Sequence, residues 1–139
     1  MTTWLADASV LLAREDVDDA NHDGARSLLS GPDPVATLDL AYYEVTIVAV
    51  RAWHDLSAAR RLRGAVRALQ DDGGLVRCDE ALVAAATELT ESHDLSTYDA
   101  AYVAAAVAAA ITIGARLVSC DIRDLVCSGF AVLPGEAVG

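Results

Sequence analysis

The sequence predicts a single α/β domain built on a largely parallel sheet. Its 139 residues are enough for one domain with a buried core. A hydrophobic content of 54% is typical of a globular chain. Short apolar runs alternate with longer helical segments, which is the pattern of parallel strands joined by helices. No segment has the composition of a linker, so we interpret residues 1–139 as one domain.

Five short apolar segments are the predicted strands. They are residues 3–7, 35–38, 75–78, 115–120 and 130–134. Ligands of such sheets bind outside the carboxyl ends of the strands. Asp7 ends the first segment and Asp121 follows the fourth. Both carboxylates are therefore expected at the edge of the sheet where a site would form.

The segments between the strands carry helical signals. Gly31 and Pro32 end a predicted helix over residues 20–31, and a glycine pair ends another over residues 57–74. The helix predicted over residues 79–94 begins with acids, which its dipole favours. Further helices are predicted over residues 39–53, around and after Asp99, and as one small turn from Asp121.

We expect a cytoplasmic protein that does not enter the membrane. The opening residues, MTTWLADAS, have no basic side chain and include an aspartate, unlike a secretory signal. The uncharged run from Ala100 to Ala115 is shorter than the ~20 residues that a spanning helix needs, so a buried helix is predicted there. The three cysteines form no CxxC pair, and reduced thiols are expected.

The charge composition excludes several classes of phosphate-handling protein. The formal net charge is −11, and all ten basic residues are arginines. A P-loop needs a lysine. Phosphoacceptor receiver domains and haloacid-dehalogenase-like phosphatases also use one, by analogy with those families. Strong acidity instead indicates a bound cation, a basic protein partner or both.

Glu44 stands out because its helix is apolar nearly all the way round. That pattern predicts a buried helix, and within it Glu44 is the only charge before Arg51, which lies ~10 Å further along the axis. A buried carboxylate must be protonated, paired or close to a cation. The alternative is an acid at a helix edge that reaches solvent.

Four acids, Asp7, Glu44, Asp99 and Asp121, occupy positions where local structure alone does not require them. Taken singly, Asp7 could end a strand in a loop, Asp99 could cap its helix or stand in its first turn, and Asp121 could cap a turn. Taken together, they need a balancing charge, and oxygen-only ligands suit Mg²⁺ or Mn²⁺. A metal-free structural or interaction module, whose acids are only caps, is the alternative from a different class.

Four motifs in order, LADASVLLA, YYEV, LSTYDAAYVAAA and LVSCDIRDL, resemble those of the PIN-domain ribonucleases, and especially of the VapC-type toxins of toxin–antitoxin pairs. The likeness extends from Trp4 to Pro134. It implies a three-layer α/β/α fold with a mainly parallel five-stranded sheet. It also implies an acidic pocket for Mg²⁺ or Mn²⁺, and RNA that is hydrolysed to leave a 5′-phosphate.

The resemblance also assigns roles to individual residues. It matches the family's acidic quartet to Asp7, Glu44, Asp99 and Asp121, of which Asp7, Asp99 and Asp121 would be metal ligands. Glu44 would be a metal ligand or would orient the attacking water. Asp124 would be a fifth acid or simply a solvated helix residue, and Ser9 and Ser119 would be supporting hydroxyls.

The expected partners are RNA and a small antitoxin. Arg60, Arg63 and Arg67 share one helix face, where they could contact phosphates or form a solvated face with intrahelical pairs. The resemblance implies a homodimer, inhibited by an antitoxin that inserts a basic side chain, most simply arginine, among the acids. A non-toxic RNA-processing nuclease of the same family is the alternative.

Overall fold

The computed structural model describes residues 2–139, except for the side chains at positions 97, 107 and 109–113. The strands are β1 (Trp4–Ala6), β2 (Val35–Leu38), β3 (Leu75–Val76) and β4 (Arg116–Val118). The helices are α1 (Ala8–Glu15), α2 (His22–Ser30), α3 (Ala41–Ile47), α4 (Leu56–Asp71), α5 (Glu80–His93), α6 (Thr97–Ile113) and α7 (Pro134–Val138). Two π-helical turns cover Val48–Ala52 and Ile122–Val126.

The sheet is parallel throughout, with the strand order β3-β2-β1-β4. This confirms the predicted α/β class, but the described residues form four strands instead of five. Residues 130–134, predicted as a fifth strand, contribute only one bridge, between Val132 and Val118. The chain leaves the sheet at once because Pro134 already begins α7.

Helices cover both faces of the sheet, as the side chains of the central strand β1 demonstrate. Successive side chains of a strand point to opposite faces. Leu5 packs in the core formed with α5 and α6, whereas Trp4 and Ala6 pack on the other side with residues of α1 and α2. The three β1 side chains are at most 3% exposed. A three-layer arrangement follows.

Two local expectations differ from the structure. The helix α1 was not predicted, because Asp7 was interpreted as a strand end and not as the residue that caps a helix. The predicted helix over residues 39–53 is α3 followed by a π-helical turn, and it is not buried all the way round. Tyr43, Ile47 and Val50 are 72%, 56% and 38% exposed, because only the opposite face packs on α1 and α4.

The Ala-rich helix α6 runs into β4. Its residues Ala100–Ala105 are buried as predicted, while Ala108 is exposed; the other side chains of the run lie partly outside the described residues. Gly114 follows α6 with a φ of +70°, a left-handed conformation that favours glycine and ends the helix. In the described part of the chain, the helices fall short of the length and apolarity that a bilayer crossing requires.

Candidate active site

The carboxyl edge of the sheet gathers the four acids singled out from the sequence. Asp7 follows β1, Asp121 comes shortly after β4, Glu44 is in the first turn of α3, and Asp99 is in the first turn of α6. Strands that run parallel end at the same edge, and the helices that precede or follow them begin or end there. All four side chains line one pocket of about 200 Å³.

Asp7 is the buried acid of this pocket. Its side chain is 5% exposed and caps α1, where Oδ1 accepts a hydrogen bond from the backbone N–H of Ser9 at 3.1 Å. The hydroxyls of Ser9 and Ser119 donate to Oδ1 and Oδ2. Burial, with a smaller contribution from the charges of Glu44 and Asp99, raises the pKa of Asp7 to about 6, although the hydrogen bonds from the two hydroxyls oppose the shift.

Ser9 and Ser119 connect the ends of β1 and β4 through Asp7. The Ser9 hydroxyl accepts the backbone N–H of Cys120 at 2.8 Å, and the Ser119 hydroxyl accepts that of Asp121 at 3.0 Å. The two hydroxyl oxygens lie 3.3 Å apart. Each serine hydroxyl therefore donates one hydrogen bond to Asp7 and accepts one from a backbone N–H just after β4. This network fixes the position of the backbone of Asp121.

Asp99, Asp121 and Asp124 form the more open side of the site. One carboxylate oxygen from each lies within 4.8 Å of the others, and no other set of three potential ligands in the described residues is this close. Asp121 caps the turn that follows it by accepting the backbone N–H of Asp124 at 2.9 Å. Asp99 stands in the first turn of α6, where its N–H donates to Ser96 Oγ at 3.1 Å.

The electrostatics of this trio are unfavourable without a counter-charge. Burial raises the pKa of Asp99, and repulsion from Asp121 and Asp124 raises it further, against the opposing hydrogen bond of Ser96. Asp99 and Asp121 are partly buried and Asp124 is exposed. Three clustered carboxylates offer only oxygen donors, which fits Mg²⁺ or Mn²⁺ and does not fit zinc or copper preferences.

Glu44 faces the pocket from α3 and is held by a residue that was not predicted. The hydroxyl of Tyr102 donates to Glu44 Oε1 at 2.7 Å. Burial raises the pKa of Glu44, the Tyr102 bond lowers it, and the charge of Asp99 raises it. A neutral donor is thus the partner of this half-buried acid. The sequence feature that could have identified Tyr102 is its position three residues after Asp99, which places it one turn along the same face of the helix.

The three arginines of α4 are exposed and lie outside the acid pocket. Arg60, Arg63 and Arg67 line an open cleft of about 490 Å³ that shares no lining residue with it. Within the described residues, the one ion pair joins Arg61 to Glu15, so these three neighbours have no acidic partner there. The intrahelical ion pairs considered for this helix are therefore absent from the described contacts, and a solvated face and a phosphate-binding face both remain as interpretations of the exposed arginines.

The profile of the PIN-domain family matches residues 5–125, which is most of the chain and includes every acid of the site. The chain belongs to the PIN-domain family. The resemblance found in the four sequence motifs is thereby confirmed at the level of the family. Among curated proteins, none matches the chain by sequence.

Solved structures resemble this PIN domain over nearly its whole length. A toxin–antitoxin complex from Klebsiella pneumoniae aligns with a TM-score of 0.66 at 18% identity, covering 94% of this chain and 97% of that one. VapC20 of Mycobacterium tuberculosis, a toxin that cleaves the sarcin-ricin loop, aligns with a TM-score of 0.65 at 21% identity and the same coverages. A protein of Pyrobaculum aerophilum aligns at 0.66 and 19% identity, covering 99% and 87%. At these identities the likeness concerns the fold.

Proposed function

We propose that this PIN-domain protein is a divalent-metal-dependent endoribonuclease and the toxin of a type II toxin–antitoxin pair. The observation that carries the proposal is the convergence of Asp7, Glu44, Asp99 and Asp121 in one pocket at the carboxyl edge of the sheet. Nothing in local structure requires these acids to meet. Clustered carboxylates repel one another, which costs stability, and a cation removes that cost.

Asp99, Asp121 and Asp124 would hold the cation, with Asp7 behind them. Their oxygens are close enough to share one ion, whereas both oxygens of Asp7 already accept hydrogen bonds from serines. A bound divalent cation supplies Lewis-acid stabilisation of the phosphate and a water of lowered pKa. Asp7 contributes negative charge to the pocket and, through Ser119, holds the backbone of Asp121.

Glu44 would orient the water that attacks phosphorus. Its Oε1 accepts the Tyr102 hydroxyl, and among the described hydrogen bonds Oε2 has no donor, so Oε2 is the oxygen available to water. Attack by that water would form a P–O bond while the bond from phosphorus to the 3′ oxygen breaks. The products would be a 5′-phosphate and a 3′-hydroxyl, and the proton from water would pass to the leaving oxygen or to solvent.

RNA would be held by the exposed arginines of α4. Arg60, Arg63 and Arg67 have no described acidic partner in a chain of net charge −11, which leaves them available to phosphates. We expect Arg60→Gln/Arg63→Gln to weaken RNA binding and to flatten its dependence on salt by about 1 to 2 in log–log slope. Binding is measured with the inactive Asp99→Asn protein. The exposed pair Arg26→Gln/Arg77→Gln removes the same charge and should leave the slope unchanged.

An antitoxin peptide would cross the pocket along α3. Tyr43, Ile47 and Val50 form an exposed apolar stripe with helical spacing on the segment that carries Glu44, so an apolar peptide on this stripe passes the acids. An arginine of that peptide would enter the pocket, and complementary charge would speed the encounter. Inhibition should therefore weaken as Mg²⁺ rises. A homodimer is proposed from family likeness, and light scattering tests it.

Cleavage by the purified chain is the test of the nuclease. Wild-type protein should cut RNA in Mn²⁺ and not in EDTA, and millimolar Mn²⁺ should raise its melting temperature. The variant Asp7→Asn/Glu44→Gln/Asp99→Asn/Asp121→Asn should lose both responses. Equal melting of the wild type with and without metal, together with no cleavage, would support a structural module instead.

Growth separates a toxin from a processing nuclease. Expression of the wild-type chain in a bacterial host should arrest growth, expression of the Asp99→Asn variant should not, and co-expression of the neighbouring small gene should restore growth. Metal-dependent cleavage in vitro without growth arrest at any expression level would support the proposed nuclease activity and contradict the proposed role as a toxin.

A further inference from the structure

Tyr102 is the largest of the described side chains that are less than 2% exposed, and its one polar side-chain atom points at the acid pocket. The residue is 1% exposed. Its hydroxyl donates to Glu44 Oε1 at 2.7 Å, across 58 residues of sequence. A buried tyrosine needs a partner for its hydroxyl, and apolar packing alone would be served as well by phenylalanine. The hydroxyl therefore indicates a role in the pocket.

The position of Tyr102 couples two of the acids. It lies three residues after Asp99, so one turn of α6 presents both a proposed metal ligand and the donor to Glu44. Glu44 comes from α3, a separate element, and Asp99 repels it. Without a hydrogen-bond partner, the Glu44 side chain could adopt several rotamers and would turn towards solvent. The Tyr102 bond is the one described contact that opposes this.

We propose that Tyr102 is a positioning residue for Glu44: by holding Oε1, it aims Oε2 at the water that attacks the phosphate. In this proposal the hydroxyl of Tyr102, which lines the pocket, acts through the glutamate. The kinetic part of this inference rests on the proposed ribonuclease activity, while the geometric part does not.

Tyr102→Phe is the variant that isolates the hydroxyl, because it keeps the buried ring. We expect kcat for RNA cleavage to fall about 10- to 100-fold, as for a misplaced catalytic group, while KM stays within about twofold. The matched control is Tyr98→Phe, which removes an exposed hydroxyl from the same helix and should change neither constant. Unchanged kcat in Tyr102→Phe would overturn the proposal.

A double-mutant cycle distinguishes positioning from a general structural role. In the Glu44→Gln background, Tyr102→Phe should cause no further loss of the residual rate beyond about twofold, because the group it positions is gone. A merely structural tyrosine would cause the same fold loss in both backgrounds, and that result would overturn the inference.

A second readout does not depend on catalysis. The chain has six glutamates, so carboxyl-¹³C glutamate spectra at fixed pH in EDTA are simple to assign. The signal that disappears in Glu44→Gln should shift in Tyr102→Phe, while the other five stay in place, and Tyr98→Phe should leave all six in place. A Glu44 signal that is unmoved in Tyr102→Phe contradicts the contact itself. A shift without any RNA cleavage by the wild type would contradict the proposed nuclease and leave the positioning intact.

Discussion

The two sides of the acid pocket use the same functional group in different ways. On one side Asp7 is buried, and both of its oxygens accept hydrogen bonds from serines. On the other side Asp99, Asp121 and Asp124 have carboxylate oxygens gathered within 4.8 Å, with Asp124 exposed to solvent. The first arrangement occupies three of the roughly four acceptor positions of the Asp7 carboxylate, counting the backbone N–H of Ser9. The second leaves a cluster of charge to be neutralised.

Asp7 therefore contributes mainly to the structure of the site, whereas Asp99, Asp121 and Asp124 are the acids that we propose as cation ligands. The bonds of Asp7 tie the end of β1 to the end of β4 through Ser119, so its loss should disturb geometry and stability together. The open trio gains nothing from its own proximity, since like charges repel. Removal of the charge of Asp99 or Asp124 should therefore reduce function while leaving the fold unharmed, whereas Asp121 also caps the turn that follows it.

The largest expected effect comes from Asp99→Asn. Asparagine keeps the shape of the side chain at the start of α6 and removes one charge from the trio. We expect RNA cleavage to fall by about 10³-fold or more, which corresponds to roughly 4 kcal/mol of transition-state stabilisation. The melting temperature in EDTA should be unchanged or slightly higher.

The matched control for this variant is Asp94→Asn, five residues earlier. Asp94 is exposed and has a φ of 53°, a left-handed conformation that asparagine tolerates well. This variant should cleave RNA normally. Near-normal activity of Asp99→Asn would remove Asp99 from the metal site, and unfolding of Asp99→Asn would make it a structural acid like Asp7.

The next effect is the pH dependence that Asp7 imposes on stability. Its folded pKa of about 6 lies above the ordinary value of 3.8, so between these values the folded state binds more protons than the unfolded state. The free energy of unfolding in EDTA should therefore fall as pH rises from about 4 to about 6, by up to about 3 kcal/mol from this group.

Urea unfolding at a series of pH values measures this slope. Asp7→Asn should flatten it, leaving the smaller contributions of Glu44 and Asp99, whose raised pKa values act in the same direction. If the Asp7→Asn protein retained the wild-type slope, Asp7 would be ionised throughout and the contrast between the two sides of the pocket would disappear.

The smallest expected effect comes from Asp124→Asn. Asp124 is the exposed member of the trio, and its backbone N–H, which Asp121 accepts, is kept in the variant. We expect cleavage to fall about tenfold, or about 1.4 kcal/mol, with the apparent requirement for Mn²⁺ moved to higher concentration. If the Asp124→Asn protein were as active as the wild type at every Mn²⁺ concentration, Asp124 would be a solvated helix residue, which is the alternative given in the sequence analysis.

Two acids of this site, Asp7 and Asp121, could be predicted because they follow strand ends. Asp7 and Asp121 were located by the rule that sites form at the carboxyl edge, and the parallel sheet agrees with it. Tyr102 was missed because its partner is 58 residues away, and tyrosine on an apolar helix is usually part of the core. The predicted strand over residues 130–134 failed because α7 begins at Pro134.

The exposure of one face of α3 could not be predicted from the sequence either. The run from Leu40 to Trp53 is apolar nearly all the way round, which predicts burial, yet Tyr43 and Ile47 are exposed. Hydropathy reports what a residue can bury but not which elements of the fold are present to cover it. The uncovered stripe is the reason that a partner protein is proposed at this face.

Calorimetric titration with Mn²⁺ tests most directly whether the open trio holds a cation. The wild type and Asp94→Asn should show saturable binding, and Asp99→Asn should bind at least tenfold more weakly, because it loses one of three charged ligands. Asp7→Asn should keep a larger share of the affinity than Asp99→Asn does, since Asp7 is not one of the three clustered acids and both of its oxygens already accept hydrogen bonds from serines. Absence of binding to the wild type at millimolar Mn²⁺, or equal affinity in the wild type and Asp99→Asn, would contradict the account.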